Sequence, residues 1–140
     1  MRTLLIVDDN ESVLRTLEFV LSESGNRVRS ALSGSAAVEI ARSETIDAAL
    51  VDLHMPVMDG FQTCSALLAQ AHEGGRPLHV WLMTGGFSSA AEKRTVEIGA
   101  VALLAKPFSH VDFLASVEQR CAEPPKPPLA APMSTCSPMV

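Results

Sequence analysis

A doubly wound α/β fold with a five-stranded parallel sheet is the fold class that this sequence predicts, and two observations support it. Five short apolar runs alternate strictly with five segments of helical periodicity, which is the pattern of strands joined by crossover helices. The strongest runs are apolar at every position, as expected for strands that helices cover on both faces. Together they indicate a sheet between two helical layers, a three-layer sandwich.

The first quarter of the chain supplies two strands and the helix between them. Residues 4–7 form the first strand, and the helix that follows ends at Ser24-Gly25-Asn26. Residues 28–32 are a weaker strand candidate, and arginines within and before it favour an edge position. Ser33-Gly34-Ser35 then begins a second, small helix.

The central strand is the most distinctive stretch of the sequence. Residues 48–51 are apolar throughout and run into one carboxylate, Asp52. The strand ends there because Pro56 cannot continue a central strand. Asp59 and Gly60 then signal a turn and a helix start, with Asp59 as the predicted N-cap. A lone Asp therefore lies at the carboxyl end of a buried parallel strand, where open α/β sheets bind their ligands.

The fourth strand and fourth helix differ in the quality of their apolar pattern. Residues 79–83 form a buried strand, whereas residues 88–98 are helical by propensity but have a poor apolar stripe. That stripe consists chiefly of Ala91 and Val96. We therefore expect the fourth helix to be loosely held.

The last pair completes the sheet and allows its order to be predicted. Residues 101–105 form the fifth strand, and Ser109 caps a final helix. Right-handed crossovers leave few topologies. The order 2-1-3-4-5 is favoured because it places the polar second strand outermost, which makes the predicted fold flavodoxin-like.

Composition excludes several classes of protein. The 140 residues include 11 basic and 16 acidic ones, and a net charge of −5 argues against nucleic-acid or anionic-membrane binding. No apolar run approaches the roughly 20 residues of a membrane helix. The three cysteines, Cys64, Cys121 and Cys136, are too few and too far apart for a disulfide framework or a zinc site. We therefore expect a reduced, cytoplasmic protein without membrane insertion.

A change of composition divides the chain into two parts. Residues 1–122 carry the α/β pattern, whereas residues 123–140 contain six prolines and almost no core-forming pattern. We expect the second part to be a disordered tail. Because nothing after Cys121 has the pattern of a DNA-binding or enzymatic output domain, we also expect the first part to act as a stand-alone domain.

Polar side chains follow four of the five strands at the same edge of the predicted sheet. They are Asp8 and Asp9 after the first strand, Asp52 at the end of the third, Thr84 and Lys106. Clustered carboxylates repel one another unless a cation lies among them, and oxygen ligands suit Mg²⁺. A nucleophilic oxygen, a metal and positively charged or hydroxyl donors are what phosphoryl transfer requires.

Each of these residues also has a simpler structural interpretation. Asp8 or Asp9 would serve as a helix N-cap, and we expect this to be at least partly true of one of them. Thr84 would be a turn residue, and Lys106 would be a solvated lysine. Taken singly, each simple interpretation is at least as good as the functional one. Their coincidence at four strand ends favours a common site.

These motifs resemble the receiver domains of bacterial two-component response regulators, of which the chemotaxis response regulator is the single-domain type. The matching residues are Asp8-Asp9, the run from Asp52 to Gly60, Thr84-Gly85 and Lys106-Pro107-Phe108. The resemblance covers residues 3–121. It implies a phosphorylation-dependent switch in a phosphorelay.

The resemblance also implies roles for the acidic residues and their neighbour. Asp52 would be the phosphoacceptor. Asp9 would bind Mg²⁺ directly and Asp8 mostly through water, while Asp52 and the backbone carbonyl of His54 would complete the protein ligands. The expected partners are a sensor histidine kinase or a histidine phosphotransfer protein, and a downstream protein target that the sequence does not name.

On the opposite side of the site, the resemblance implies two donors and one unusual peptide bond. Thr84 would hydrogen-bond to the phosphoryl oxygen and Lys106 would pair with it. The Lys106–Pro107 bond is expected to be cis, which costs little for an X–Pro bond.

Three residues depart from the family pattern. Leu103 occupies the position where many relatives have the Tyr or Phe that swings inward on activation, so an aromatic switch is not available there. Gly86 replaces a larger polar residue that tunes hydrolysis in some relatives. His54 is unusual two residues after the phosphoacceptor. Its side chain is open to three interpretations, contact with the phosphoryl group, exclusion of water, or a solvated loop histidine, and we favour the last.

The expected output is a change of partner binding at the face formed by the fourth helix, fifth strand and fifth helix, in a monomer or a phosphorylation-dependent dimer. One alternative is a docking module that acts without phosphorylation, which Leu103 keeps open. A phosphatase with an Asp nucleophile is disfavoured, because Asn10 or Glu11 stands where its second Asp belongs. A flavin binder is disfavoured by the acidic first loop and by the absence of Tyr.

Overall fold

The computed structural model describes residues 2–122, and the predicted disordered tail, residues 123–140, lies outside the described residues. Within them, five parallel strands form one sheet in the order β2-β1-β3-β4-β5, which confirms the predicted fold class. The strands are β1 Thr3–Val7, β2 Arg27–Ala31, β3 Ala48–Asp52, β4 His79–Thr84 and β5 Ala102–Ala105.

Five helices alternate with these strands and cover both faces of the sheet. They are α1 Glu11–Ser22, α2 Gly34–Ser43, α3 Gly60–Glu73, α4 Ser89–Glu97 and α5 His110–Ala122. No helix in residues 2–122 has both the length and the apolar character needed to cross a membrane.

The core consists of two clusters, one on each face of the sheet, because successive strand residues point to opposite faces. Leu5, Val51 and Leu82 belong to the cluster beneath α2, α3 and α4. Trp81 belongs to the cluster beneath α1 and α5, where its ring meets Phe113 edge-on at a centroid distance of 5.4 Å. Burying each such side chain contributes about 1.5–3 kcal/mol, so this core fixes the strand ends that carry the polar residues.

The helix starts follow the predicted capping chemistry with one correction. Asp59 caps α3 in a reciprocal capping box with Gln62, as predicted. The N-cap of α1, however, is Asn10, whose side chain accepts hydrogen bonds from two backbone amides. The suggestion that Asp8 or Asp9 caps this helix was therefore wrong.

The fourth helix has the weak anchorage that its sequence predicts, but a different residue provides it. Val96 is 62% exposed, whereas Thr95 is completely buried and donates its hydroxyl to the carbonyl of Ala91. The prediction of Val96 as an inward residue was wrong, because the helix is rotated so that Ala91, Thr95 and Ile98 face the sheet. A short helix with one small, fully buried side chain is held weakly.

Gly60 is required where α3 begins, because the helix starts against the end of β3. A Cβ atom at this position would lie 2.6 Å from the carbonyl oxygen of Asp52 and 2.6 Å from the Cα of Leu53. The amide of Gly60 also donates to the carbonyl of Leu53 at 2.9 Å. This close approach fixes the backbone that follows Asp52.

We therefore expect Gly60→Ala to destabilise the protein by about 1–3 kcal/mol, the usual cost of overpacking against atoms that cannot move aside. Gly85→Ala is the matched control, because nothing lies within 4 Å of a Cβ there. Urea denaturation of both variants would measure the difference. Equal stability of the two variants would contradict this account of Gly60.

Candidate functional site

The first acidic residues follow β1, where the backbone turns away from the sheet. Asp8 is 1% exposed, and its amide donates to the carbonyl of Ala31 at 3.1 Å. Its Oδ1 accepts the amide of Asn10 at 2.9 Å, which orients the carboxylate. Asp9, the next residue, is exposed. The pair therefore offers one buried and one solvent-facing carboxylate.

Asp52 is the last residue of β3 and is 6% exposed. The backbone on either side is held by the sheet and by α3. Asp52 lies opposite Met83 of β4, and the amide of Leu53 donates to the carbonyl of Met83 at 2.8 Å. The position of the carboxylate is thus set by main-chain hydrogen bonds of the sheet.

The structure brings the three carboxylates together. One oxygen from each of Asp8, Asp9 and Asp52 lies within 4.8 Å of the others. The ammonium group of Lys106, which follows β5, lies 3.1 Å from Asp8 Oδ2 and 3.3 Å from Asp52 Oδ1. Four of the predicted site residues therefore form one cluster, contributed by three different strand ends.

The cluster has more carboxylates than basic groups, and burial together with this excess of negative charge shifts the pKa values of Asp52 and Lys106. Burial, and then the charge of Asp8, raise the pKa of Asp52, although Lys106 and the backbone of His54 oppose the rise. Burial lowers the pKa of Lys106, but its hydrogen bond to Asp8 and the charges of Asp52 and Asp8 outweigh this, so the net shift is upward. Lys106 thus keeps its proton more readily than an ordinary lysine, and Asp52 binds a proton more readily than an ordinary aspartate.

The predicted donor Thr84 is buried at the end of β4 and is already engaged. Its Oγ1 accepts the amide of Gly86 at 3.0 Å and lies 3.0 Å from Nε2 of His54. The expectation of a solvated His54 was incomplete, because the residue is exposed but its ring is hydrogen-bonded to Thr84. No sequence pattern signals this contact, since it depends on the direction in which a loop side chain points.

Two further site predictions concern β5 and the peptide after it. The Lys106–Pro107 bond is cis. Leu103 does not join the acidic cluster but lies in the core beneath α2, α3 and α4, with 6% exposure. A leucine side chain in that position has no polar group that could form a hydrogen bond with the site.

The carboxylate cluster fits a divalent cation. Asp8 and Asp52 are buried carboxylates, and Lys106 is the one basic side chain in residues 2–122 that forms an ion pair with them. Buried anions in excess of their cations are costly, and hard oxygen ligands select ions such as Mg²⁺. The residues present therefore suit the cofactor that the sequence predicts.

Comparisons with known proteins agree with this geometry. The family model described as "Response regulator receiver domain" matches residues 4–118. The transcriptional regulatory protein PrrA of Mycobacterium tuberculosis is 33% identical over 114 residues, which cover 81% of this chain and 47% of PrrA. The chain spans about half the length of the first curated relatives it matches.

Two solved structures are similar over most of the chain. The chemotaxis protein CheY4 of Vibrio cholerae has a TM-score of 0.76 and 27% identity, covering 85% of this chain and 98% of CheY4. A response regulator protein from Burkholderia pseudomallei, solved with a phosphorylated aspartic acid, a calcium ion and citrate, has a TM-score of 0.77 and 28% identity. That match covers 87% of this chain and 69% of the other.

The order of the strands, the acidic cluster beside a lysine and the match over residues 4–118 all point to one family. This chain belongs to the response regulator receiver domains of two-component signalling systems.

Proposed function

We propose that this domain is a switch that accepts a phosphoryl group on Asp52 from a phosphohistidine. The donor would be a sensor histidine kinase or a histidine phosphotransfer protein. The observation that supports the proposal best is the position of Asp52 in a buried cluster with Asp8 and Asp9, its carboxylate 3.3 Å from the Lys106 ammonium. The phosphorylated aspartic acid in the similar Burkholderia pseudomallei protein supports an aspartate as the acceptor.

In the proposed reaction, a carboxylate oxygen of Asp52 forms a bond to phosphorus as the bond from phosphorus to the donor imidazole breaks. The bonding electrons stay with the imidazole nitrogen. Lys106 lies between Asp8 and Asp52, where its charge would stabilise negative charge on the transferred group. Thr84 would hydrogen-bond to a phosphoryl oxygen once the group is in place.

Asp8, Asp9, Asp52 and the backbone carbonyl of His54 would hold Mg²⁺. When bound, this ion supplies positive charge that neutralises the carboxylates and the incoming phosphoryl group. The chain's own contribution is to hold the three carboxylate oxygens within 4.8 Å of one another. A rigid set of oxygens lowers the cost of assembling the site.

We further propose that phosphorylation changes partner binding at the face formed by α4, β5 and α5. Helix α4 is anchored chiefly by the small side chain of Thr95, so it moves at low cost. Phe87, Val96 and Val111, on and beside this face, are exposed apolar residues suited to a protein partner or to a second copy of the domain. The proposal keeps the predicted cytoplasmic location, a monomer or a phosphorylation-dependent dimer, and no direct contact with nucleic acid.

One observation favours a second candidate, a docking module that acts without phosphorylation. Leu103 is buried in the core, so no aromatic side chain at this position changes between inward and outward states. In this second account the partner would recognise the α4–β5–α5 face in its resting form. An Asp-dependent phosphatase stays disfavoured, since Asn10 is committed to capping α1.

The proposed phosphorylation predicts a mass increase of one phosphoryl group when the full chain is incubated with Mg²⁺ and acetyl phosphate. Asp52→Asn removes the nucleophile and is expected to abolish the increase, as is chelation of the metal. Asp112→Asn, an exposed carboxylate in α5, is the matched control and should react like the unaltered chain. Intact-mass spectrometry reads all four samples, and a phosphoryl group that persists in Asp52→Asn would refute the assignment.

The raised pKa of Asp52 predicts an effect on stability with a definite sign. A carboxylate whose pKa is higher in the folded state destabilises that state when charged, and the penalty is relieved as the pH falls through the folded pKa, above the ordinary 3.8. Without metal at pH 7, Asp52→Asn should therefore melt at a higher temperature than the unaltered chain. The gap should narrow on acidification.

Added Mg²⁺ should reverse this order by stabilising the unaltered chain more than Asp52→Asn, because the ion binds only the folded acidic cluster. Calorimetric melting between pH 4 and pH 7, with and without the ion, checks both statements. A lower melting temperature for Asp52→Asn at pH 7 without metal would contradict the charge balance described above.

The two candidate functions differ in how partner binding responds to beryllofluoride, a mimic of the phosphoryl group. A switch should bind its partner at least several-fold more tightly, or less tightly, when beryllofluoride and Mg²⁺ are present, and Asp52→Asn should lose that response. A docking module should bind equally in all these conditions. The partner is first captured with this domain from a lysate of the cells that produce it. Calorimetry of its binding in these conditions then distinguishes the switch from the docking module.

A further inference from the structure

The hydroxyl of Thr84 has one proton, and the structure restricts where that proton goes. Thr84 is completely buried, so water does not serve as its acceptor. Oγ1 has two hydrogen-bond partners among residues 2–122, the amide of Gly86 and Nε2 of His54, each at 3.0 Å. An amide N–H only donates. Of these two partners, only Nε2 of His54 is able to accept the Thr84 hydrogen bond.

A hydrogen bond in this direction requires one tautomer of the imidazole. For Nε2 to accept, His54 must be neutral with its proton on Nδ1. A buried hydroxyl left without an acceptor is unfavourable, so the resting structure favours this arrangement. We call the contact between Thr84 Oγ1 and His54 Nε2 the latch.

We propose that His54 is a positioning residue that restrains the switch. Its Nε2 accepts the single hydrogen bond that the Thr84 hydroxyl donates, and a phosphoryl oxygen on Asp52 would need that same hydrogen bond. The inference rests on the proposed phosphorylation of Asp52 and goes beyond it. Switching then requires Thr84 to exchange one acceptor for another. The latch lowers the apparent affinity of the site for a phosphoryl group by stabilising the resting state.

The surroundings of His54 allow the latch to open. The residue is exposed, and it borders a cleft of about 490 Å³ that Gly86, Ser88 and Arg94 also line. A Cβ atom on Gly86 would have no neighbour within 4 Å, so the cleft is open beside Gly86. A released imidazole meets solvent and is not left unsatisfied. Opening therefore costs the hydrogen bond and little else.

Beryllofluoride binding measures the latch directly, because this ligand presents acceptor atoms where phosphoryl oxygens would lie. The full chain is titrated with beryllofluoride at saturating Mg²⁺, and Trp81, the single tryptophan, reports binding by its fluorescence. We expect His54→Ala to bind roughly fivefold more tightly than the unaltered chain, the effect of one net hydrogen bond. His72→Ala, an exposed histidine at the end of α3, is the matched control and should not change the affinity.

A double-mutant cycle shows whether His54 acts through Thr84. In a Thr84→Ala background, His54→Ala should have no effect on the affinity, since the contact is already gone. If His54 instead touches the ligand itself, its effect persists in that background and the latch is refuted. Unchanged or weaker binding by His54→Ala alone also refutes it.

Two controls separate this proposal from the one on which it rests. If the unaltered chain and His54→Ala both fail to bind beryllofluoride while their melting curves stay normal, the proposed phosphorylation fails, and the latch fails with it as a restraint on switching. Nitrogen NMR of the histidine rings needs no variant. We expect His54 to be protonated on Nδ1 with Nε2 hydrogen-bonded in the resting chain, and to lose that signature with beryllofluoride; protonation on Nε2 at rest would refute the assignment.

Discussion

The site depends on an imbalance of buried charge. Asp8 and Asp52 are almost fully removed from water, and one ammonium, that of Lys106, lies between them at 3.1 and 3.3 Å. Removing ions from water costs several kcal/mol each by order of magnitude, so a pair of carboxylates with one cation is left undercompensated. This imbalance of buried charge raises the pKa of Asp52, and Asp9 adds a third carboxylate oxygen at the rim of the cluster. The Mg²⁺ binding and the phosphorylation of Asp52 that we propose both depend on this excess of negative charge.

The parallel sheet is what maintains the imbalance. Left to themselves, like charges would separate, but Asp52 is held opposite Met83, and the amide of Lys106 donates to the carbonyl of Thr84 at 2.7 Å. The apolar strands beneath these residues are buried on both faces, so moving a strand end would expose the core. Burial of the core therefore offsets the repulsion at the strand ends. The fold therefore holds the carboxylates close together in spite of their mutual repulsion.

The sequence predicted those parts of the molecule that follow from strong local patterns. Fully apolar runs identified the strands, and the strand order then brought Asp8, Asp52 and Lys106 to one edge. It failed where several residue types compete for one role. Asp8, Asp9 and Asn10 are all good N-cap residues. Asn10 caps α1, because the two carboxylates are held in the cluster.

The same limit applies to α4 and to the latch. Alanines and a threonine give a weak periodic signal, so the sequence did not reveal that Thr95 rather than Val96 faces the sheet. The contact of His54 with Thr84 joins residues 30 positions apart through a loop side chain, and no periodicity encodes it. Such contacts depend on rotamers that only the assembled fold selects.

The loop after β4 is the place where a change at the site would be transmitted. Thr84 belongs to a strand that is buried on both faces, whereas residues 85–88 are exposed and lead into the weakly anchored α4. The guanidinium of Arg94 lies 4.3 Å from the centre of the Phe61 ring, a cation–π contact that links α4 to α3. At an exposed site such a contact contributes about 0.5–1 kcal/mol. Under the proposed function, a new partner for the Thr84 hydroxyl would have comparable energy, which is enough to shift α4 and too little to disturb the sheet.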